Sequence, residues 1–197
     1  TPYDLEDADY NEQLKREDWV KIVKRLDLGY KPNVVDIGCG WGAFLNELVF
    51  SNNNIKYLVK GYELTTKNAN FAKNKLGISV ENYDFRESKI NEELDLVSMF
   101  HVLEHVQDPL SMLYAILNSL VDGGYFIGAV PNIESFASKK MGPNWPWLES
   151  YLHITHFSLE TLRNMLEKIG FEVEKIWTVT NFQDFPKKVY NELLSVY

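Results

Sequence analysis

The chain has 197 residues, 45% of them hydrophobic, and a formal net charge of -8. That size and composition suit one folded domain, while the acidic balance argues against a broad basic face for a nucleic-acid backbone. The one cysteine, Cys39, excludes an intrachain disulfide and a thiolate zinc cluster. No apolar run reaches the roughly 18 residues that span a bilayer, so a cytoplasmic setting without stable membrane insertion is expected.

An acidic arm opens the chain, with Asp4, Glu6, Asp7, Asp9 and Glu12 beside Tyr3 and Tyr10. Leu14, Val20, Ile22, Val23 and Leu26 then mark a helical stripe over residues 12–27. Residues 1–29 therefore form an N-terminal arm and helix, closed by Gly29 and Pro32. The β-branched run at 33–37 is the first strand, and Phe44, Leu45, Leu48 and Val49 place a helix over 42–50. A second strand covers 57–63, and a helix near 65–75 stops at Gly77. A third, short strand starts at Ile78 and ends near Asp84; a fourth covers 94–100. Leu110, Leu113, Ile116, Leu117 and Leu120 define a helix over 109–120, and Asp122-Gly123-Gly124 reads as the turn into a fifth strand from Tyr125 to Val130.

Residues 132–157 have many aromatics and no clean period, and are expected to form a lid or acceptor-binding insertion within a single domain of residues 1–197. Ser158 is the expected N-cap of a helix carrying Leu162, Met165, Leu166 and Ile169, although Glu160 falls one position early for a capping box. Residues 171–179 alternate as a sixth strand would, 181–185 leave room only for a short seventh, and 186–197 read as a terminal helix.

Strands and helices at this spacing point to an α/β fold, a mostly parallel sheet with helices on both faces. In such sheets ligands gather beyond the carboxyl ends of the strands. Asp36 and Gly38, Glu63, Asp84, Phe100 and His101, and Pro131 and Asn132 all fall there. The alternate glycines Gly38, Gly40 and Gly42 permit a tight turn and close backbone approach to a ligand. Their spacing lacks the two-residue gap of the dinucleotide fingerprint. Asp36 beside them repels a pyrophosphate but attracts an ammonium group, which favours a nucleoside bearing an amino acid.

Residues 34–42 resemble motif I of the class I S-adenosylmethionine-dependent methyltransferases. Gly61-Tyr62-Glu63, Asp84-Phe85, Asp95-Leu96-Val97, Leu103 to Pro109, and Gly123-Gly124 before Pro131-Asn132 extend the resemblance over roughly residues 30–175. It implies a Rossmann-like methyltransferase fold whose seven-stranded sheet has order 3-2-1-4-5-7-6, with the seventh strand short or missing here. It also implies that Glu63 accepts hydrogen bonds from both ribose hydroxyls and that Asp84 binds the adenine amine with Phe85 near the ring. Leu64 would pack on the adenine; Asp36, Gly38, Gly40 and Phe100 would line the amino-acid end. The cofactor so implied is S-adenosyl-L-methionine, with S-adenosyl-L-homocysteine as product.

All four histidines, His101, His105, His153 and His156, lie in the two segments expected around the acceptor. Leu103-Glu104-His105 and the run His153 to Ser158 are similar to the branch that includes ubiquinone-biosynthesis and sugar or antibiotic methyltransferases. His101 is the first choice for a base, since neutral imidazole takes a hydroxyl proton near pH 7. His153 and His156, three apart as on one helical turn, are expected to touch the acceptor, with Trp145, Trp147 and Tyr151 as pocket wall. The expected reaction is methyl transfer to a hydroxyl of a small polar metabolite such as a sugar or nucleotide-sugar. N-methylation, metal-assisted O-methylation through Glu104, His105, His153 and His156, a nicotinamide-dependent oxidoreductase, and a non-catalytic scaffold or activator subunit are the alternatives. No residue is assigned as a metal ligand, and a divalent metal is the minor reading. An exposed sheet edge leaves a homodimer open.

Overall fold

A computed structural model of the chain describes residues 18–51, 54–88, 93–148 and 151–178. The expected acidic arm up to residue 17, the short strand at 181–185 and the helix at 186–197 lie outside the described residues. The described residues divide into two compact units. One comprises those up to Phe100 together with Asn118–Gly128; the other comprises His101–Leu117 and those from Ala129 onward.

The first unit is built on a five-stranded sheet. Its strands are β1 (Asn33–Ile37), β2 (Leu58–Tyr62), β3 (Ser79–Glu81), β4 (Leu94–Phe100) and β5 (Leu120–Ala129), in the order β3-β2-β1-β4-β5. The pairings of β1 with β2, β1 with β4 and β2 with β3 are all parallel. Gly124 approaches the Leu94 carbonyl and Gly128 the Met99 carbonyl, so β5 also advances in the direction of β4. This is the 3-2-1-4-5 portion of the expected order. The central strands carry apolar side chains on both faces (Val34, Val35, Ile37, Leu96, Val97 and Met99 are all buried), as a parallel sheet covered twice requires.

Helix α1 (Ala43–Phe50) starts at Gly42, whose φ of 79° is left-handed, and buries Phe44, Leu45 and Leu48. A helical stretch over residues 18–23 adds Val20 and Val23 to the same core. Phe100, at the end of β4, meets Trp19 at 4.6 Å and the edge of Phe44 at 5.2 Å between ring centroids. Helix α2 (Thr66–Phe71) widens into a π turn, Ala72–Leu76, and stops at Gly77 with φ 68°. One expectation needs correction here. Asp122-Gly123-Gly124 is not a turn preceding the fifth strand but lies inside β5, with Gly123 at φ 77°. Glycine accommodates that conformation within a strand without a Cβ clash.

The second unit holds α3 (Pro109–Ser119) as far as Leu117, α4 (Phe136–Met141) and α5 (Leu159–Ile169). Each starts on a local oxygen. Asp108 Oδ1 accepts from the Ser111 amide, and Ser135 Oγ from the Ser138 amide. At α5, Ser158 Oγ accepts from the Thr161 amide while Thr161 Oγ1 accepts from the Ser158 amide. The capping box is therefore present, with Thr161 in the place of Glu or Gln. Helix α4 was not expected from sequence, because six residues are too few for a periodic signal.

The sixth strand expected at 171–179 is not formed over its described part: residues 171–178 have no regular secondary structure. Alternation specifies which side chains share a face; it does not supply a strand to pair with.

Candidate functional site

The glycine turn connects β1 to α1 in the first unit. Its two amides at Gly38 and Cys39 both donate to the Tyr62 carbonyl, at 2.7 and 3.1 Å, which fastens the turn to the end of β2. Gly38 and Gly40 have φ of 70° and 54°. Among the described residues, Gly40's own chain neighbours apart, no atom lies within 4 Å of where a Gly40 side chain would begin, so this backbone faces open space. Asp36, one step back in β1, is 3% exposed and receives a hydrogen bond from Ser98 Oγ at 2.7 Å. Ser98 is its register partner on β4.

Glu63 follows β2 directly and closes the other side of the turn. Its Oε2 accepts from the Gly40 amide at 2.9 Å and its Oε1 from the Thr65 amide at 2.7 Å. Each oxygen thus has one acceptor position committed to backbone, and a carboxylate offers about four. What remains is a fixed, two-oxygen acceptor, the donor-seeking geometry that a vicinal diol matches. The Asn82 side chain clamps the same corner by donating to the Glu63 and Leu64 carbonyls at 2.7 and 3.0 Å.

Cys39 reports the electrostatics. Burial first, and then the negative charges of Asp36 and Glu63, push its thiol far above the ordinary range. Two carboxylates flanking one turn lay a negative potential over it, which suits a cationic ligand and opposes a pyrophosphate.

The remaining expected residues of this unit occupy three different environments. Leu64 is 69% exposed. Phe85 is buried, with its ring edge-on to Tyr62 at 5.1 Å. Asp84 starts the turn Phe85–Glu87, and Arg86 engages both its oxygens, through Nε at 3.0 Å and Nη2 at 2.7 Å. The Arg86 side-chain bonds hold the Asp84 carboxyl below its usual range against an opposing effect of burial. Ser98, Thr65, Asn82 and Arg86 were not anticipated. The one available signal was Ser98, a lone hydroxyl inside the otherwise apolar end of β4.

In the second unit, His101 has φ 55°, the left-handed region that non-glycine residues rarely enter. Its amide donates to the Ala129 carbonyl at 2.8 Å, and its half-exposed ring stacks on Trp147 at 5.5 Å and 21°. Glu104, in the 3-10 turn Leu103–His105, is 1% exposed, and neither carboxylate oxygen has a hydrogen-bond partner among the described residues. His101 Nδ1 stands 3.6 Å from Glu104 Oε1, beyond hydrogen-bond reach.

His153 is 4% exposed, and its Nδ1 faces the Trp147 carbonyl at 2.7 Å. His105 Nδ1 faces the Leu152 carbonyl at 2.9 Å. The His105 and His153 rings are 4.8 Å apart, and His153 and His156 6.3 Å. His153 and His156 do not share a helical turn, contrary to their spacing. Residues 153–156 are non-helical, and the Ile154 and Thr155 amides donate to the Glu104 carbonyl at 2.8 and 3.1 Å. That tether to the 3-10 turn removes the helical alternative by taking its donors.

Among the described residues no helix is long and apolar enough to cross a membrane. The family model described as a methyltransferase domain matches residues 10–176. No curated protein matches the chain. Among solved structures, one similar chain is a SAM-dependent methyltransferase, possible histamine N-methyltransferase, from Thermotoga maritima. It is 27% identical, with a TM-score of 0.62, over 82% of this chain and 71% of that one. An S-adenosylmethionine-dependent methyltransferase from Mesorhizobium loti is 22% identical with a TM-score of 0.64, over 90% and 92% of the two chains. The plantazolicin methyltransferase BpumL, in complex with SAH, is 17% identical with a TM-score of 0.62, over 81% and 63%.

Proposed function

This chain belongs to the methyltransferase-domain family and is an S-adenosylmethionine-dependent enzyme, and we propose that it methylates a hydroxyl of a small polar metabolite, a sugar or nucleotide-sugar being the preferred class. The observation that carries the cofactor assignment is the Glu63 carboxylate fixed on the Gly40 amide, with Asp36 buried across the same turn.

In this reading Glu63 accepts from both ribose hydroxyls, and Asp36 with Gly38 and Gly40 receives the amino-acid end. Asp84, held by Arg86, would accept from the adenine amine, with Phe85 and the exposed Leu64 packing near the ring. Phe100 borders the amino-acid end. When bound, S-adenosylmethionine supplies a methyl group on a positively charged sulfur, already activated for displacement. The protein's work is then to align the acceptor, exclude water and take a proton.

His101 is the proposed base. Its ring stacks on Trp147, and a neutral imidazole is matched to a hydroxyl proton near neutral pH. His156 orients the acceptor, with the buried His153 beside it as a supporting residue. The concentration of four histidines in this unit supports oxygen over nitrogen as the methylated atom, because an amine acceptor needs a base less. The Thermotoga protein, a possible histamine N-methyltransferase, favours the nitrogen reading, so both chemistries belong in the test.

The deciding experiment is S-adenosylhomocysteine release from S-adenosylmethionine across parallel panels of hydroxylated and amine-bearing metabolites. Turnover confined to hydroxyl acceptors, lost in His101→Ala while cofactor affinity holds, is the expected result. Turnover on amines alone would overturn the oxygen assignment. Unchanged turnover in His101→Ala would remove that residue as base.

A further inference from the structure

We propose that Glu104, His105 and His153 form a binding site for one divalent transition-metal ion of the zinc or iron(II) type. A carboxylate oxygen of Glu104 and one ring nitrogen from each histidine lie within 4.8 Å of one another. Donors about 2.1 Å from a shared metal stand roughly 3 to 3.5 Å apart, so small side-chain rotations complete the set.

Two further observations, independent of that proximity, point to a cation. The first is the Glu104 carboxylate, which is buried to 1% exposure with both oxygens lacking a hydrogen-bond partner among the described residues. A buried anion is tolerated when it is paired or coordinates a metal, and His101 at 3.6 Å is too distant to hydrogen-bond it. The second is the orientation of the two imidazoles. His105 Nδ1 faces the Leu152 carbonyl and His153 Nδ1 the Trp147 carbonyl. A carbonyl only accepts, so each Nδ1 is the donor, and in the neutral ring that leaves the Nε2 lone pair for a ligand. Ligating histidines are oriented in this way, with the second nitrogen donating to a carbonyl or carboxylate.

The two ligand segments are also fastened together before any metal arrives. The Glu104 carbonyl accepts from the Ile154 and Thr155 amides, directly beside His153. Two imidazoles and one carboxylate favour zinc, iron(II) or cobalt(II) over magnesium or calcium, which prefer all-oxygen sets. Three protein ligands leave positions open for water or an oxygen-bearing ligand.

The test uses the full chain, stripped with chelator and titrated with Co(II) while visible absorption and calorimetry are recorded. The expected result is uptake of one Co(II) with d–d bands and a raised Tm, competed by Zn(II). Glu104→Gln and His105→Ala should each weaken uptake by at least about tenfold. His105 is exposed, so His105→Ala decides the matter if Glu104→Gln fails to fold. Absence of stoichiometric Co(II) and Zn(II) uptake by the wild-type chain, or undiminished uptake in His105→Ala, overturns the proposal. Because the readout is metal binding, either result is separable from whether the chain transfers a methyl group.

Discussion

The Gly40 amide donates to Glu63 Oε2 at 2.9 Å, which makes the glycine turn and the acid beyond β2 a single piece of structure. The contact spans 23 residues of sequence and is possible because β1 and β2 lie side by side in parallel, with Ile37 opposite Tyr62. The carboxylate is thereby oriented before a ligand is present, and the entropy of ordering it does not fall on binding.

Replacing Glu63 removes both the orientation and the charge. Glu63→Ala should weaken S-adenosylhomocysteine binding on the order of 100-fold, since hydrogen bonds to a charged acceptor contribute about 1.5–3 kcal/mol each. Glu63→Gln should be nearly as damaging, because its NH2 would face either the Gly40 or the Thr65 donor. Calorimetric titration checks both, with circular dichroism to confirm folding; an unaltered Kd in either variant would remove Glu63 from the site.

Gly61 is needed for space. A Cβ there would press into Cys39 Sγ, with Cys39 Cβ at 3.1 Å and Val80 Cγ2 at 3.3 Å. Gly61→Ala should destabilise the chain by about 1–3 kcal/mol, the usual cost of overfilling a packed site. In a Cys39→Ala background part of that cost should disappear, giving a favourable coupling on the order of 1 kcal/mol by urea denaturation. Strict additivity would show that the two positions do not compete for volume.

The Cys39 thiol sets a pH dependence. Its folded-state pKa is raised above an ordinary value near 9 by burial and by Asp36 and Glu63. The stability it contributes is therefore complete below about pH 9 and is lost as pH rises, because the unfolded chain releases a proton that the native chain retains. Between pH 8 and 10.5 the wild type should lose stability relative to Cys39→Ala, with a limiting slope of about 1.4 kcal/mol per pH unit. Iodoacetamide should modify Cys39 only after unfolding. A parallel pH profile for the two proteins would contradict the assignment.

At the start of α5, Ser158 and Thr161 satisfy each other's backbone amides. Ser158→Ala and Thr161→Val should each cost about 1 kcal/mol, and the double variant less than their sum because each loses the same reciprocal motif. Thermal denaturation of the three variants measures this directly.

Much of the first unit was written locally in the sequence. Its helices and strands follow from apolar periodicity and from glycines at 38, 40, 42 and 77, and β4 falls on its expected boundaries, Leu94–Phe100. The placement of Asp36 and Glu63 at strand ends followed from the same order of elements. Local pattern failed where a partner decides the outcome. Nothing in the alternation of 171–178 indicates whether a neighbouring strand is there to accept it, and the Gly123-Gly124 pair reads equally as a turn or as a kinked strand.

The amino-acid order thus determined the parallel sheet, the glycine turn and the residue types around it, because each rests on contacts within a few positions or on repeating apolar faces. Tertiary structure alone decided that Ser98 sits on Asp36 and that Glu104 is buried among three histidines with no hydrogen-bond partner among the described residues. Those facts depend on strand register and on segments some 50 residues apart in sequence. Hydrogen bonding and burial are properties of where side chains meet in space, and no spacing along the chain encodes them by itself.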